Sequence, residues 1–241
     1  MKKDLSLRNT FDQVAELYNK IRPTYPEALF DELVKQTELN EHSKLLEIAA
    51  GTGQATLPLA RRGYSIVAIE LGSRLAEIAI KKLSDYPNVQ VITGAFEDVE
   101  FEIESFDLVY VATAFHWIRP EVKFSKPHRL LKPNKYLAII KGDQVSDNAG
   151  DHFFRASQPI YDKYWPSDPN NPFQLRRLSE VKHADLDTDL FELVYFNCFP
   201  QAILYTADEY CQLLNTDSEK LALSSEKRNN FLNEIRLLID S

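Results

Sequence analysis

The chain has 241 residues but only 2 cysteines, 7 glycines, 1 methionine and 2 tryptophans. Its two cysteines, Cys198 and Cys211, are too few for a disulfide framework or a cysteine-built metal cluster. They fit a reducing, cytoplasmic setting. Apolar runs of the ~18–20 residues that cross a bilayer are missing, so no membrane partner is expected. Met1-Lys2-Lys3-Asp4 turns polar at once and does not open an apolar signal core. A basic excess is missing too. Acidic residues number 36 against 28 basic ones, for a formal charge of −8, which opposes a nucleic-acid phosphate backbone as partner. No repeat of about 20–50 residues is visible, which excludes a solenoid.

What is present is a hydrophobic share of 44%, enough for a sizeable core in one large domain or one domain with an insertion. Because glycine is scarce, its clustering is informative. Gly51 and Gly53 fall within Lys44-Leu45-Leu46-Glu47-Ile48-Ala49-Ala50-Gly51-Thr52-Gly53-Gln54-Ala55-Thr56. A short apolar run ends there in a carboxylate, then in small residues, then in a helix-like pattern. Such a turn leaves bare main chain at the carboxyl edge of a sheet, against which a nucleotide-like ligand can lie. A dinucleotide fingerprint fails at Ala49 and Gln54, and a phosphate loop fails for want of Gly-Lys-Ser/Thr. An ordinary strand-to-helix turn remains open.

Further apolar runs read as strands at Ser65 to Glu70, Val89 to Thr93 and Phe106 to Ala112. Helical spacing marks Phe11 to Tyr18, with Thr10 and Gln13 in capping-box register. It also marks Ala55 to Arg62, ending at Gly63, and Ser73 to Leu83. Glu70 ends the second strand, where a carboxylate can accept both hydroxyls of a ribose. Pro120 to Leu131 reads as a helix kinked or split at Pro127, and Phe191 to Phe199 as a sixth strand. Thr206 and Glu209 form a capping box, and Phe231, Leu232, Ile235, Leu238 and Ile239 an apolar helical stripe. Between them, Pro159, Pro166, Pro169 and Pro172 punctuate a stretch rich in Phe153, Phe154, Tyr161, Tyr164, Trp165 and Phe173. So aromatic an insertion, over 143–189, reads as a cap above a site or as a subdomain packed on the sheet.

Glu47, Gly51 and Gly53 stand at the spacing of the acidic-x-Gly-x-Gly-x-Gly turn, with Ala49 in place of the first glycine. Here the chain resembles the class I S-adenosylmethionine-dependent methyltransferases of small-molecule type. The likeness extends to Tyr18, Arg22 and Pro23, which match the Tyr-x-x-x-Arg-Pro segment covering the methionine end of the cofactor. Ala114-Phe115-His116-Trp117 is similar to the Ala-x-His-Trp of trans-aconitate methyltransferase and its relatives. Arg129-Leu130-Leu131-Lys132-Pro133-Asn134-Lys135 is similar to the family's Arg-x-Leu-Lys-Pro-Gly-Gly turn, where Asn134 tolerates a left-handed backbone.

The resemblance implies a doubly wound α/β fold with a mostly parallel sheet, N-terminal helices and an inserted cap. It implies methyl transfer from S-adenosylmethionine, or retention of that cofactor or its product without turnover. A nicotinamide-dependent oxidoreductase is the rival of another class. Cofactor contacts then fall to Tyr18, Arg22, Glu47, Ala49, Gly51, Gly53, Glu70, Leu71, Ala95, Phe96 and Thr113. The acceptor would be a compact, partly apolar acid or phenol, held by His116, Trp117, Tyr161 and Trp165, with His116 as catalytic base or pocket wall. The family's seventh strand is not recognisable after the last helix.

Overall fold

The computed structural model describes residues 5–146, 151–166, 174–183, 186 and 188–241. They form two compact units, Met1–Gly142 with Asp185–Phe199, and Asp143–Ala184 with Pro200–Ser241. Of the expected insertion at 143–189, residues 143–184 fall in the second unit, which also takes in the C-terminal helices, and residues 185–189 fall in the first.

The first unit opens on a 3-10 helix, Leu5–Val14, continued by α1, Ala15–Ile21. The expected capping box is not formed; Thr10 Oγ1 donates instead to the Leu7 carbonyl. Pro23 and Pro26 end that helix and admit α2, Glu27–Gln36, with Pro26 just before its first turn. Strand β1, Lys44–Ile48, leads through the glycine turn to α3, Thr56–Arg61. Gly63, at φ +86°, closes that helix in the left-handed conformation that glycine adopts freely. β2, Ser65–Glu70, α4, Ser73–Lys82, β3, Val89–Thr93, and β4, Phe106–Ala112, follow.

A single 3-10 turn, Phe115–Trp117, precedes α5, Ser125–Leu130, and β5, Leu131–Ile140. The helix foreseen from Pro120 thus begins five residues later. Pro127 lies in its first turn, where a missing N–H costs nothing, and no kink is needed. Asn134 takes φ +61° at the turn within β5.

The five strands run in the order β3-β2-β1-β4-β5, and every pairing is parallel. Alternate side chains go to opposite faces. Leu45, Ile66, Leu108 and Tyr110 join Phe30, Leu59 and Ala79 on one face. Leu46, Ile48, Val67, Ile69, Val109 and Val111 join Phe106 and Leu130 on the other. Burial on both faces explains why these strands read as nearly unbroken apolar runs. Phe191 to Phe199 is not a strand. Phe191 packs on Phe124 and His128, and Tyr195 donates to Glu32, but the segment adds no hydrogen bonds to the sheet.

The second unit contains a two-stranded pair, β6, Val145–Ser146, and β7, Arg176–Arg177. Its helices are α6, Asp151–Tyr164, α7, Ala207–Leu214, α8, Ser218–Leu221, and α9, Ser225–Ile239. The Thr206–Glu209 capping box is present at α7. Helix α6 continues through Pro159, while Pro169, Pro172 and Phe173 lie outside the described residues. This unit has its own core of Cys211, Leu214, Phe231 and Ile235, packed by Tyr161, Tyr164 and Trp165. Among the described residues no helix is long and apolar enough to cross a membrane.

Candidate functional site

The carboxyl ends of β1, β2 and β4 lie side by side, so whatever follows each strand gathers at one edge. After β1 the chain takes φ +57° at Ala49, +60° at Gly51 and +82° at Gly53. Ala49 adopts this left-handed geometry despite its Cβ, at a cost on the order of 1 kcal/mol. Glu70, at the end of β2, ties the turn down. Its Oε2 accepts the Gly51 N–H at 2.7 Å and its Oε1 accepts the Gly72 N–H at 2.8 Å. Each carboxylate oxygen keeps room for a further donor. Burial pushes this carboxyl above its ordinary value, the two N–H groups oppose the rise, and Asp12 adds to it.

Glu47 has a different part. It is fully buried, and its Oε2 accepts the Thr56 hydroxyl at 2.6 Å and the Tyr110 hydroxyl at 2.7 Å. Burial lifts its pKa to about 7 against the pull of those two donors. The carboxylate of the glycine motif thus pins α3 and β4 to β1 from beneath the turn.

The N-terminal helices cover the same edge. A Cβ on Gly51 would lie 3.7 Å from Tyr18 Cε1, so the Tyr18 ring sits directly on the turn. The Arg22 guanidinium is 5.1 Å from the centre of that ring. Phe11 meets Tyr18 and Trp117 edge-on, with centroids 6.0 and 5.7 Å apart, and His116 lies 4.9 Å from Trp117. Asp12 Oδ1 accepts the Arg74 and Leu75 N–H groups at 2.8 and 3.1 Å. The N-cap of α4, Gly72, has no side chain to cap with, and the acceptor comes from Asp12, 62 positions before Arg74. Arg8 pairs with Glu97 at 2.9 Å beside the end of β3.

Tyr18, Arg22, Ala49, Gly51, Glu70, Trp117 and His116 are therefore gathered at one edge. Leu71 and Ala95, both half-buried, follow β2 and β3, and exposed Thr113 follows β4 at φ +55°. Phe96 is 4% exposed among core side chains, with the Lys126 ammonium 5.1 Å from its ring. Tyr161 and Trp165 pack around Phe231 in the core of the second unit, with the Lys220 ammonium 5.6 and 4.7 Å from their rings.

Sequence reading missed Thr56, nine residues from Glu47, and Asp12 and Tyr110, whose roles depend on contacts between distant segments. It also missed Asn19 Oδ1, Thr52 Oγ1 and Gln54 Nε2, which are buried without a hydrogen-bond partner among the described residues. Native proteins rarely leave such atoms unmatched. Thr52 and Gln54 belong to the glycine turn itself, where a hydroxyl and an amide donor suit a ligand bearing a carboxylate. Together with the Glu70 carboxylate and the bare turn, they fit an amino-acid nucleoside such as S-adenosylmethionine.

Sheet order, turn and carboxylate define a Rossmann-like domain of the methyltransferase type. The comparisons agree. Residues 46–139 match the family described as methyltransferase domain. An uncharacterized methyltransferase of Schizosaccharomyces pombe is 28% identical over 212 residues, covering 88% of this chain and 79% of that protein. A second methyltransferase-like protein of the same yeast is 32% identical over 141 residues, 58% of this chain and 54% of its own. With several of these curated relatives the chain spans about half of their length, 54% in the latter case. Among solved structures, the cyclase SpnF shares the fold with a TM-score of 0.50 at 19% identity, over 58% of this chain and 64% of that one. Residues 46–139 form a methyltransferase domain of the class I S-adenosylmethionine-dependent family.

Proposed function

We propose that this protein transfers a methyl group from S-adenosylmethionine to a small-molecule acceptor. The observation that carries the reading is the Glu70 carboxylate clamped to Gly51 and Gly72 beneath Tyr18, beside buried polar atoms that lack partners. Glu70 would accept the ribose hydroxyls on its remaining lone pairs, as Gly51 and Gly53 let the main chain approach. Arg22, Asn19 and Gln54 would hold the methionine carboxylate and ammonium, with Tyr18 closing over them. Leu71 and Ala95 would flank the adenine.

When bound, S-adenosylmethionine supplies a methyl whose bond to a cationic sulfur breaks as the bond to the acceptor forms, the electron pair staying on sulfur. The chain's part is to align the acceptor, exclude water and receive any proton the acceptor loses. His116, exposed at the same edge beside Trp117, is the group suited to take that proton near neutral pH. The −8 charge favours a small molecule over a nucleic acid.

Calorimetry with S-adenosylhomocysteine, followed by transfer of a labelled methyl across a panel of small molecules, tests the reading. Binding with turnover is expected. Binding without turnover across a broad panel would leave a module that retains the cofactor, and preference for NADH would make the protein an oxidoreductase. In the His116→Gln variant we expect turnover to fall by about 10²-fold with cofactor affinity kept. Unchanged turnover would reduce His116 to a pocket wall.

A further inference from the structure

Gln54 Nε2 is buried without a partner, and both the Gln54 amide and the Tyr18 ring meet Gly51. A ligand that partners Nε2 must first part what covers it, and Tyr18 of α1 sits on the same glycine. Whatever fastens the N-terminal segment therefore governs how a ligand enters and leaves. Asp12 supplies one tie, to the amides of α4. The other runs to Glu97.

Glu97 follows Ala95 and Phe96 after β3, and its side chain is 5% exposed. Its Oε1 accepts the Arg8 guanidinium at 2.9 Å and the Arg119 N–H at 3.2 Å. Arg8 belongs to the opening 3-10 helix, Leu5–Val14. Arg119 lies two residues beyond Trp117, just past the turn that carries His116. One carboxylate oxygen thus joins the N-terminal cover to the His116–Trp117 turn. Burial raises the pKa of this carboxyl, but its own N–H, that of Arg119 and the Arg8 guanidinium outweigh burial and hold it below the ordinary range. The joint is ionised at neutral pH, and so enclosed a pair is screened less than a surface one. A second contact spans the same gap, since Phe11 stands edge-on to both Tyr18 and Trp117. The loop that bears Glu97 is held by a different group. Lys126 Nζ donates to the carbonyls of Glu97 and Val99 at 3.1 and 2.6 Å, contacts that a new side chain at 97 leaves in place.

We propose that Glu97 is a positioning residue that fastens the N-terminal cover to the His116–Trp117 turn, so that the two open and close over the cofactor together. This rests on the methyltransferase reading and adds the device that controls release at that site. Lifting the cover withdraws Arg8 and Phe11 from the turn and its flank. The base assigned to His116 and the closed cofactor site are then assembled in one state, and leaving that state frees the product.

The test uses the whole chain. S-adenosylhomocysteine binding to the wild type is measured first by calorimetry; no binding would overturn the methyltransferase reading itself. Release of labelled S-adenosylhomocysteine is then timed in a chase with unlabelled ligand. We expect Arg8→Ala and Glu97→Ala each to speed release by about tenfold, the scale of one hydrogen bond to a charged group. The double variant should release no faster than Glu97→Ala, because both changes remove the same contact. Arg8→Lys should restore most of the retention. Hydrogen exchange in the wild type should slow on binding across residues 5–22 and 115–118 together, and Glu97→Ala should lose that joint response. Should Glu97→Ala fail to fold, Arg8→Ala and its rescue by Arg8→Lys decide the matter. Unchanged release, effects that multiply in the double variant, or a turn at 115–118 that ignores binding while the cover responds would each overturn the fastening.

Discussion

Two carboxylates of the glycine region look alike in sequence and differ in chemistry. Glu70 keeps both oxygens on backbone N–H groups at the site, so Glu70→Ala removes the clamp on the turn together with the cofactor contact proposed for this residue. We expect S-adenosylhomocysteine to bind more weakly by ~1.5–3 kcal/mol, with a comparable loss of folding stability, since both involve hydrogen bonds to a charged group. Calorimetry and urea unfolding would measure the two losses, and unchanged affinity would remove Glu70 from the site. Glu47 is a buried structural acid whose pKa is raised from an ordinary 4.5 to about 7. A raised folded-state pKa means the contribution is fully present below pH 4.5 and is lost as pH rises through 7. The difference corresponds to about 3 kcal/mol. Glu47→Gln cannot ionise, so its stability relative to the wild type should climb between pH 5 and pH 8. Urea unfolding at both pH values checks this, and a flat or falling difference would contradict it.

The N-terminal helices show how an element takes its place by contacts that its own pattern does not encode. Phe11, Tyr18 and Arg22 recur at helical spacing, yet the first turns are 3-10, and what seats them is Trp117, Gly51 and the amides of α4. Asp12 is central to that seating, because a Cβ on Gly72 would come within 2.6 Å of its Oδ1. Hydrogen exchange across residues 8–25 should slow when S-adenosylhomocysteine binds and should quicken in Asp12→Ala. Equal protection in all three states would leave no role for the segment as a cover. The segment Phe191 to Phe199 teaches the converse. It has the composition of a strand, but β-propensity describes fit to a half-buried surface and cannot supply a partner. Leu193, Val194 and Phe196 remain 47, 65 and 44% exposed, and the described sheet ends at β5.

At the scale of the molecule, two units each carry a core, and Phe231 is the fully buried centre of the second. Phe231→Ala should destabilise that unit by about 3–5 kcal/mol. Exchange should rise in α6, α7 and α9, while amides of β1 and β4 keep their protection. A uniform rise throughout the chain would argue that the units unfold as one. The parallel sheet, the glycine turn and the Glu70 position were legible in the residues themselves, and the cofactor class through the family resemblance carried by the glycine turn. Sheet and turn depend on short unbroken apolar runs in strands buried on both faces, and on backbone conformations that few residue types adopt, which are local properties. Even the left-handed Asn134 belongs to that set. The capping of α4 by Asp12, the raised pKa of Glu47, the joining of Arg8 to Arg119 through Glu97 and the packing of Tyr161 and Trp165 around Phe231 were not legible. Each joins segments tens of residues apart, and desolvation, hydrogen-bond direction and ring packing exist only once those segments meet.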